Sequence, residues 1–224
     1  MTSDENRIAL FPPLSDPSDP AYIIPPPVAG RPRVLLLGDS ISIGYTLPVR
    51  ALLGDAATVQ RPAANCGQTA YALQHLGDWL GAEKWAVIHF NFGLHDLKYL
   101  DRAGNYVPPD QGRQVAPLDV YQRNLTAIVA RLRSTGATLI FGTTTPVPPG
   151  AAGRPAGSER PYNQCALEIM RAHDVAVTDL WSLAVQRQSE IQQPNDVHFT
   201  TEGYREFAAL VAQGIRTALP APGR

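Results

Sequence analysis

A serine near the start of the sequence and a histidine near its end have the residue types of a nucleophile and its base. Ser40 follows Gly38-Asp39, and Asp196 stands two residues before His198. A serine hydroxyl needs a neighbouring base, a histidine that titrates near neutrality can serve, and a carboxylate can hold the imidazole in the required tautomer. Each of these motifs alone is weak evidence for catalysis, since a Gly-Asp-Ser tripeptide commonly forms a turn with a helix N-cap.

Two further clusters contain groups that would support such a nucleophile. The segment Asn65–Thr69 contains Gly67, whose backbone N–H can approach a ligand closely because glycine has no side chain. The segment Gly93–Asp96 contains a second histidine, His95. A serine nucleophile needs preorganised N–H donors for the oxyanion that develops during its attack, and these clusters could supply them.

Alternating strands and helices are predicted to position all four clusters. Short apolar runs predict strands over Val34–Leu37, Ala57–Gln60, Ala86–Phe92, Thr138–Phe141 and Val175–Val177. Helices are predicted over about 47–53, 70–80, 119–136, 161–173, 179–191 and 200–219. This alternation indicates βαβ units and a mostly parallel sheet, in which ligands bind beyond the carboxyl ends of the strands. The clusters follow the first three strands or precede the last helix, so we expect them to meet at one edge.

Composition excludes several classes of function. The 224 residues carry 19 basic and 20 acidic side chains, so there is no excess positive charge to neutralise phosphates, and we expect no nucleic-acid partner. No apolar run approaches the roughly 20 residues of a spanning helix, and no secretory signal is recognisable, which predicts a cytoplasmic protein without a membrane partner. Cys66 and Cys165 fit no metal spacing and are expected to be free thiols.

The first 32 residues differ from the rest of the chain. They contain eight of the 21 prolines, which rules out a regular helix or a central strand. We therefore divide the chain into an N-terminal Pro-rich arm, 1–32, and one domain, 33–224. The arm is either a disordered leader or a segment that packs Ile8, Leu10, Phe11 and Tyr22–Ile24 onto the body or onto a second subunit, and these apolar residues favour packing and a possible homo-oligomer.

Together the clusters resemble the SGNH (GDSL-type) hydrolase family. Val34–Ile41 is similar to its first block, Asn65–Thr69 to its second, Gly93–Asp96 to its third and Asp196–Thr200 to its last. The blocks occur in order and cover about residues 33–217. The resemblance implies an α/β fold, a three-layer, flavodoxin-like α/β/α sandwich around a five-stranded parallel sheet. It also implies esterase, lipase or carbohydrate-deacetylating chemistry without a metal or organic cofactor.

The resemblance assigns roles to individual residues. Ser40 would be the nucleophile, His198 the base and Asp196 the residue that orients His198. The oxyanion would be held by the backbone N–H groups of Ser40 and Gly67 and by the side chain of His95.

Two positions depart from the family pattern. His95 stands where the family usually has an asparagine; an imidazole N–H can also donate, and Asn91 is a possible substitute whose strand position favours a structural role. The usual acid three residues before the histidine is replaced by Asn195. Either Asp196 orients His198, or Asn195 or a backbone carbonyl does so; we favour Asp196, because a carboxylate also stabilises the imidazolium.

Other residues are expected to support or shape the site. Asp39 and Asp96 would hydrogen-bond neighbouring loop groups, while the long loop Leu97–Leu118 and the stretch Thr143–Pro146 would line the pocket. The expected substrate is a small-molecule or oligosaccharide ester, with an acetyl group on a sugar as one candidate. The alternatives are an acyltransferase on the same fold and a catalytically weakened carbohydrate-binding module.

Overall fold

A five-stranded parallel sheet forms the centre of the protein. The structure is a computed structural model that describes residues 18–220. In chain order the strands are β1 Arg33–Leu37, β2 Thr58–Gln60, β3 Val87–Phe90, β4 Tyr99–Leu100, β5 Arg113–Gln114, β6 Thr138–Gly142 and β7 Ala176–Thr178. The main sheet has the order β2-β1-β3-β6-β7, with every neighbouring pair parallel, and β4 and β5 form a separate antiparallel pair.

The apolar runs become central strands because both faces of the sheet are covered. In β1, all four residues of Val34–Leu37 are buried, and β3 is buried along its whole length. Continuous apolar runs, rather than alternating ones, are typical of parallel sheets that carry helices on both faces. The five predicted strands and their parallel arrangement are confirmed.

Seven α-helices lie outside the sheet in the described part of the chain. They are α1 Ser40–Leu53, α2 Thr69–Leu80, α3 Leu118–Arg133, α4 Glu159–Ala172, α5 Leu180–Gln186, α6 Gln188–Ile191 and α7 Thr201–Ala218. Helix α1 packs against α7, whereas α3 packs against both α2 and α4. These two groups form the outer layers of the α/β/α sandwich. None of the helices within residues 18–220 combines the length and the apolar character that crossing a membrane requires.

Several predicted helix boundaries are wrong. The helix predicted over 47–53 begins seven residues earlier, at Ser40. The helix predicted over 179–191 is two short helices that meet at Arg187, which adopts φ −116° and ψ 14°. The helix predicted over 119–136 begins one residue earlier, at Leu118, and ends at Arg133, so Asp119 lies in its first turn, where it pairs with Arg123.

The described part of the arm packs only in part. Tyr22 is buried against Ile43, and the Arg50 guanidinium donates to the carbonyl oxygen of Ala21 at 3.1 Å. Ile23 and Ile24, by contrast, are 69% and 54% exposed, so their expected packing is not seen within this chain. The arm residues Ile8, Leu10 and Phe11 lie outside the described residues.

Candidate active site

Ser40 is placed at the carboxyl edge of the sheet by the turn that joins β1 to α1. Asp39 is the N-cap of α1, and its Oδ1 accepts hydrogen bonds from the backbone N–H of Ile41 at 3.0 Å and from Nδ2 of Asn91 at 3.2 Å. Burial raises the pKa of the Asp39 carboxyl, and the bonds from Asn91 and Ile41 oppose that rise. The Asn91 amide is therefore engaged beneath Ser40, where it braces the N-cap, and its oxygen accepts from Tyr45 at 3.2 Å.

His198 lies beside Ser40, although 158 residues separate them in sequence. Its Nε2 is 2.8 Å from Ser40 Oγ, and its Nδ1 is 2.7 Å from Asp196 Oδ1. The same Asp196 oxygen accepts from the backbone N–H of His198 at 3.1 Å. Partial burial tends to raise the pKa of Asp196, but these two hydrogen bonds outweigh it and lower the pKa. A proton on Nδ1 facing Asp196 leaves the Nε2 lone pair available to Ser40.

The loop that carries His198 is fixed at both ends. Gln192 and Phe199 form an isolated antiparallel bridge, and the Thr200 side chain caps α7 by accepting from the N–H of Gly203. Within this loop Asn195 is exposed and adopts a left-handed φ of 57°, a conformation that asparagine tolerates better than most residues. The turn brings Asp196, rather than Asn195, to the imidazole.

Gly67 adopts the left-handed φ of 59° that favours glycine, but its N–H is already engaged. It donates to Asn65 Oδ1 at 3.0 Å, so Asn65 lies between this donor and the cavity that it lines. Beside this loop, the buried guanidinium of Arg61 donates to the carbonyl oxygens of Gly38 and Ala64, both at 3.2 Å. Arg61 thus ties the serine turn to the Gly67 loop. As a single arginine after β2, it offered no sequence signal.

Asp96 braces the same loop from the other side. Its carboxylate accepts from the backbone N–H of Thr69 at 3.0 Å and from the Thr69 hydroxyl at 2.5 Å, and it is fully buried. Burial raises its pKa to about 7, against the opposing effect of these hydrogen bonds. Asp96 therefore fixes the start of α2 and does not line the cavity.

His95 lines the same cavity as His198 and is 6% exposed. Its Nδ1 is 3.3 Å from Lys98 Nζ. Burial, followed by electrostatic interactions with Lys98, Arg154 and His198, holds the pKa of His95 well below its ordinary value. Since an ammonium group can only donate, it faces the lone pair of Nδ1, and the proton of the neutral ring resides on Nε2.

The cavity at this edge has a volume of about 360 Å³. Its lining includes Ser40, His95 and His198, apolar groups such as Leu94 and Val197, and side chains from two loops, Tyr106 and Arg154. The long loop thus reaches the cavity through Tyr106. Thr143–Pro146 does not line it, contrary to expectation: the Thr144 hydroxyl donates to the carbonyl oxygen of Phe92 and its N–H to Asn163, so this stretch is used for bracing.

Neither cysteine is placed to act as a nucleophile. Both are buried free thiols, and burial raises the pKa of Cys66 to about 11. Between residues 18 and 220, no group of three or more His, Cys, Asp or Glu side chains is arranged to hold a metal ion.

Comparisons with known proteins agree with this architecture. A family model described as the GDSL-like Lipase/Acylhydrolase family matches residues 36–206. The lipase/acylhydrolase from Enterococcus faecalis superposes with a TM-score of 0.68 at 20% identity, covering 86% of this chain and 99% of that one. An acetyl xylan esterase structure gives 0.64 at 13% identity, covering 82% and 99%. A GDSL-like lipase from Bacteroides thetaiotaomicron gives 0.61 at 16% identity, covering 89% and 95%. No curated protein sequence matches the chain.

Proposed function

This chain belongs to the GDSL-like lipase/acylhydrolase family, and we propose that within it the protein is a serine esterase that cleaves small acyl esters through an acyl-enzyme. The SGNH-type fold and the esterase class follow from the family. The assignment of the catalytic residues and of the substrate is our proposal.

The observation that carries the proposal is the continuous contact from Ser40 through His198 to Asp196, with distances of 2.8 and 2.7 Å. In the proposed first step Ser40 Oγ attacks the ester carbonyl carbon while His198 Nε2 takes its proton. His198 then gives that proton to the leaving alcohol oxygen. In the second half it removes a proton from water, which attacks the acyl carbon, and it returns the proton to Ser40. Asp196 stabilises the imidazolium that forms in both halves.

Oxyanion stabilisation is assigned to groups on two sides of Ser40. The Ser40 N–H lies in the first turn of α1, where backbone N–H groups have no partner within the helix. His95 would supply its Nε2–H, which Lys98 favours by donating to Nδ1. The Gly67 N–H would contribute if its hydrogen bond to Asn65 Oδ1 broke or became bifurcated when substrate bound. Removing one such donor typically costs about 10²–10³ in rate.

Cavity size and its contacts guide the choice of substrate. A volume of about 360 Å³ is at the small end for ligand pockets and suits a short acyl group. The similarity of fold to a structure described as an acetyl xylan esterase makes an acetylated oligosaccharide a reasonable candidate. The close contact of Asp196 with His198 favours turnover over the alternative of a catalytically weakened carbohydrate-binding module.

Hydrolysis of p-nitrophenyl acetate, butyrate and octanoate by the wild type and by Ser40→Ala tests this function. We expect the wild type to prefer acetate and Ser40→Ala to lose at least about 10³-fold in kcat/KM. Ser134→Ala is the matched control, because Ser134 is an exposed residue at the end of α3. Unchanged activity in Ser40→Ala would refute the nucleophile, and a preference for octanoate would refute the small acyl pocket.

A further inference from the structure

Two cationic side chains at or directly behind the cavity wall form no ion pair with a carboxylate of residues 18–220: Arg154 lines the cavity, and Lys98 contacts two residues that line it, His95 and Tyr106. Lys98 is 4% exposed, and its Nζ has His95 Nδ1 at 3.3 Å and Tyr106 OH at 3.5 Å. The partly buried Arg154 donates from Nε to the carbonyl oxygen of Leu94 at 2.8 Å and from Nη1 to that of Ala152 at 3.1 Å.

Placing two such charges together is unfavourable unless something compensates them. Burial lowers the pKa of Lys98, and the neighbouring charge of Arg154 acts in the same direction. Burial alone would raise the pKa of Tyr106, but Lys98 and Arg154 outweigh it and lower the pKa. Lys98 Nζ and Arg154 Cζ both lie over the Tyr106 ring, at 5.0 and 5.3 Å from its centroid. A buried charge is normally paired, yet the carboxylates that stabilise these cations at a distance, Asp96 for Lys98 and Asp39 and Asp196 for Arg154, form no ion pair with them.

A second buried arginine, Arg61, differs from Arg154 in how its donors are used. Its guanidinium is enclosed and donates to five neutral oxygens, including those of Ser42 and Thr46, so its role is structural. Arg154 instead lines the cavity that holds Ser40 and His198. Its five N–H donors exceed the two carbonyls and the one tyrosine that contact it, which leaves donors for a ligand.

We propose that Arg154, with Lys98 and Tyr106, forms an anion subsite that selects esters carrying a carboxylate on the same small molecule as the scissile bond. This inference rests on the proposed function, because the subsite would hold the carboxylate of an ester whose scissile bond lies at Ser40. A carboxylate fits the planar donor pattern of a guanidinium, and the backbone carbonyls of Leu94 and Ala152 hold that plane in place. The carboxylate can belong to the acyl group or to the alcohol.

Two matched ester pairs distinguish these sources. Mono-p-nitrophenyl adipate and its methyl ester differ by one charge on the acyl side, whereas 4-acetoxybenzoate and its methyl ester differ by one charge on the alcohol side. We expect the wild type to prefer the charged member of at least one pair by about tenfold or more in kcat/KM, which is the effect of a single charge-assisted hydrogen bond of about 1.5–3 kcal/mol. The preference should weaken as the salt concentration rises.

Variants identify the residue that carries the preference. Arg154→Gln should abolish the preference for the charged ester, mainly through KM, and Arg154→Lys should restore part of it. Arg113→Gln is the control, since Arg113 is an exposed arginine of β5, and it should retain the wild-type ratio. No preference in the wild type, or an equal loss on charged and neutral esters in Arg154→Gln, would overturn the subsite. Loss of the proposed function itself would appear separately, as hydrolysis that persists in Ser40→Ala.

Discussion

The two walls of the cavity are built in different ways. The catalytic wall, Ser40, His198 and Asp196, comes from the carboxyl end of β1 and the short loop before α7. The cationic wall consists of Tyr106 and Arg154, with Lys98 behind them, and comes from two loops that are joined by the hydrogen bond from the N–H of Tyr99 to the carbonyl oxygen of Gly153, at 2.7 Å.

Hydrogen-bond partners make the difference clear. In the catalytic wall, Ser40 Oγ, both ring nitrogens of His198 and Asp196 Oδ1 form a chain of contacts within the protein. In the cationic wall, Arg154 lines the cavity and forms no ion pair with a carboxylate of residues 18–220. The first wall has its hydrogen-bond partners within the protein, which suits chemistry, whereas the second has an arginine with spare donors that the proposed carboxylate would occupy, which suits selection. The predictions below probe that division.

The largest effect is expected at the acid of the catalytic wall. Asp196→Ala should lower kcat by roughly 10³–10⁴, since it removes the carboxylate that fixes the His198 tautomer and stabilises the imidazolium. Asn195→Ala is the matched neighbour and should retain activity within about threefold, apart from any strain at its left-handed backbone. Steady-state kinetics of both variants on p-nitrophenyl acetate shows whether Asp196 or Asn195 orients His198. The opposite ranking would show that Asn195 orients the histidine and that our assignment is wrong.

A smaller loss is expected at His95, which lines the cavity and contacts Lys98. His95→Ala should cost about 10²–10³ in kcat, because a donor to the oxyanion is lost. His95→Asn retains a side-chain N–H donor and should recover a substantial part of this loss. Comparing kcat and KM for both variants gives the test. If KM rises while kcat stays at the wild-type value, His95 binds the ground state and is not an oxyanion donor.

The sheet contains a buried ionisable side chain without a hydrogen-bond partner, His89, which can be compared with the paired groups of the two walls. His89 is fully buried in β3, neither ring nitrogen has a hydrogen-bond partner, and burial lowers its pKa from 6.5 to about 3. The unfolded chain takes up a proton near pH 6.5 while the folded protein does not, so His89 costs stability as the pH falls below 6.5, at up to about 1.4 kcal/mol per pH unit. No such cost arises above that pH, where the ring is neutral in both states.

Replacing this ring should remove the acid sensitivity that it causes. We expect His89→Leu to gain about 2 kcal/mol relative to the wild type between pH 7 and pH 5, from the same linkage. Urea unfolding at both pH values measures the free energies. A difference that does not change with pH would mean that His89 titrates normally in the folded protein. The kinetics at pH 7 should change little, because His89 does not line the cavity.

The sequence predicted the sheet and placed the four clusters at its edge because those features are local. Strands appear as apolar runs, and parallel strands bring their carboxyl ends together. The contacts of Arg154 with Leu94, 60 residues away, and of Arg61 with Gly38 depend on how loops fold over one another, and single arginines without periodicity give no sign of this. The break at Arg187 likewise has no proline or glycine to mark it.

Position 196 shows the same limit within the catalytic wall. Spacing alone left Asp196 and Asn195 open, since the backbone turn decides which side chain reaches the imidazole. The left-handed conformation of Asn195 turns the chain there, and Asp196 lies at 2.7 Å from His198 Nδ1. Tertiary geometry, and not residue type, determined which residue contacts the ring.

The most direct test of the account is to label the protein with a fluorophosphonate and locate the adduct by peptide mass spectrometry. This reagent phosphonylates a serine that a neighbouring base has activated. We predict one adduct, on Ser40, with esterase activity lost in proportion to labelling, and no labelling of Ser40→Ala at the same dose. An adduct on another residue that accounts for the lost activity, or full activity in a protein labelled at Ser40, would contradict the central claim.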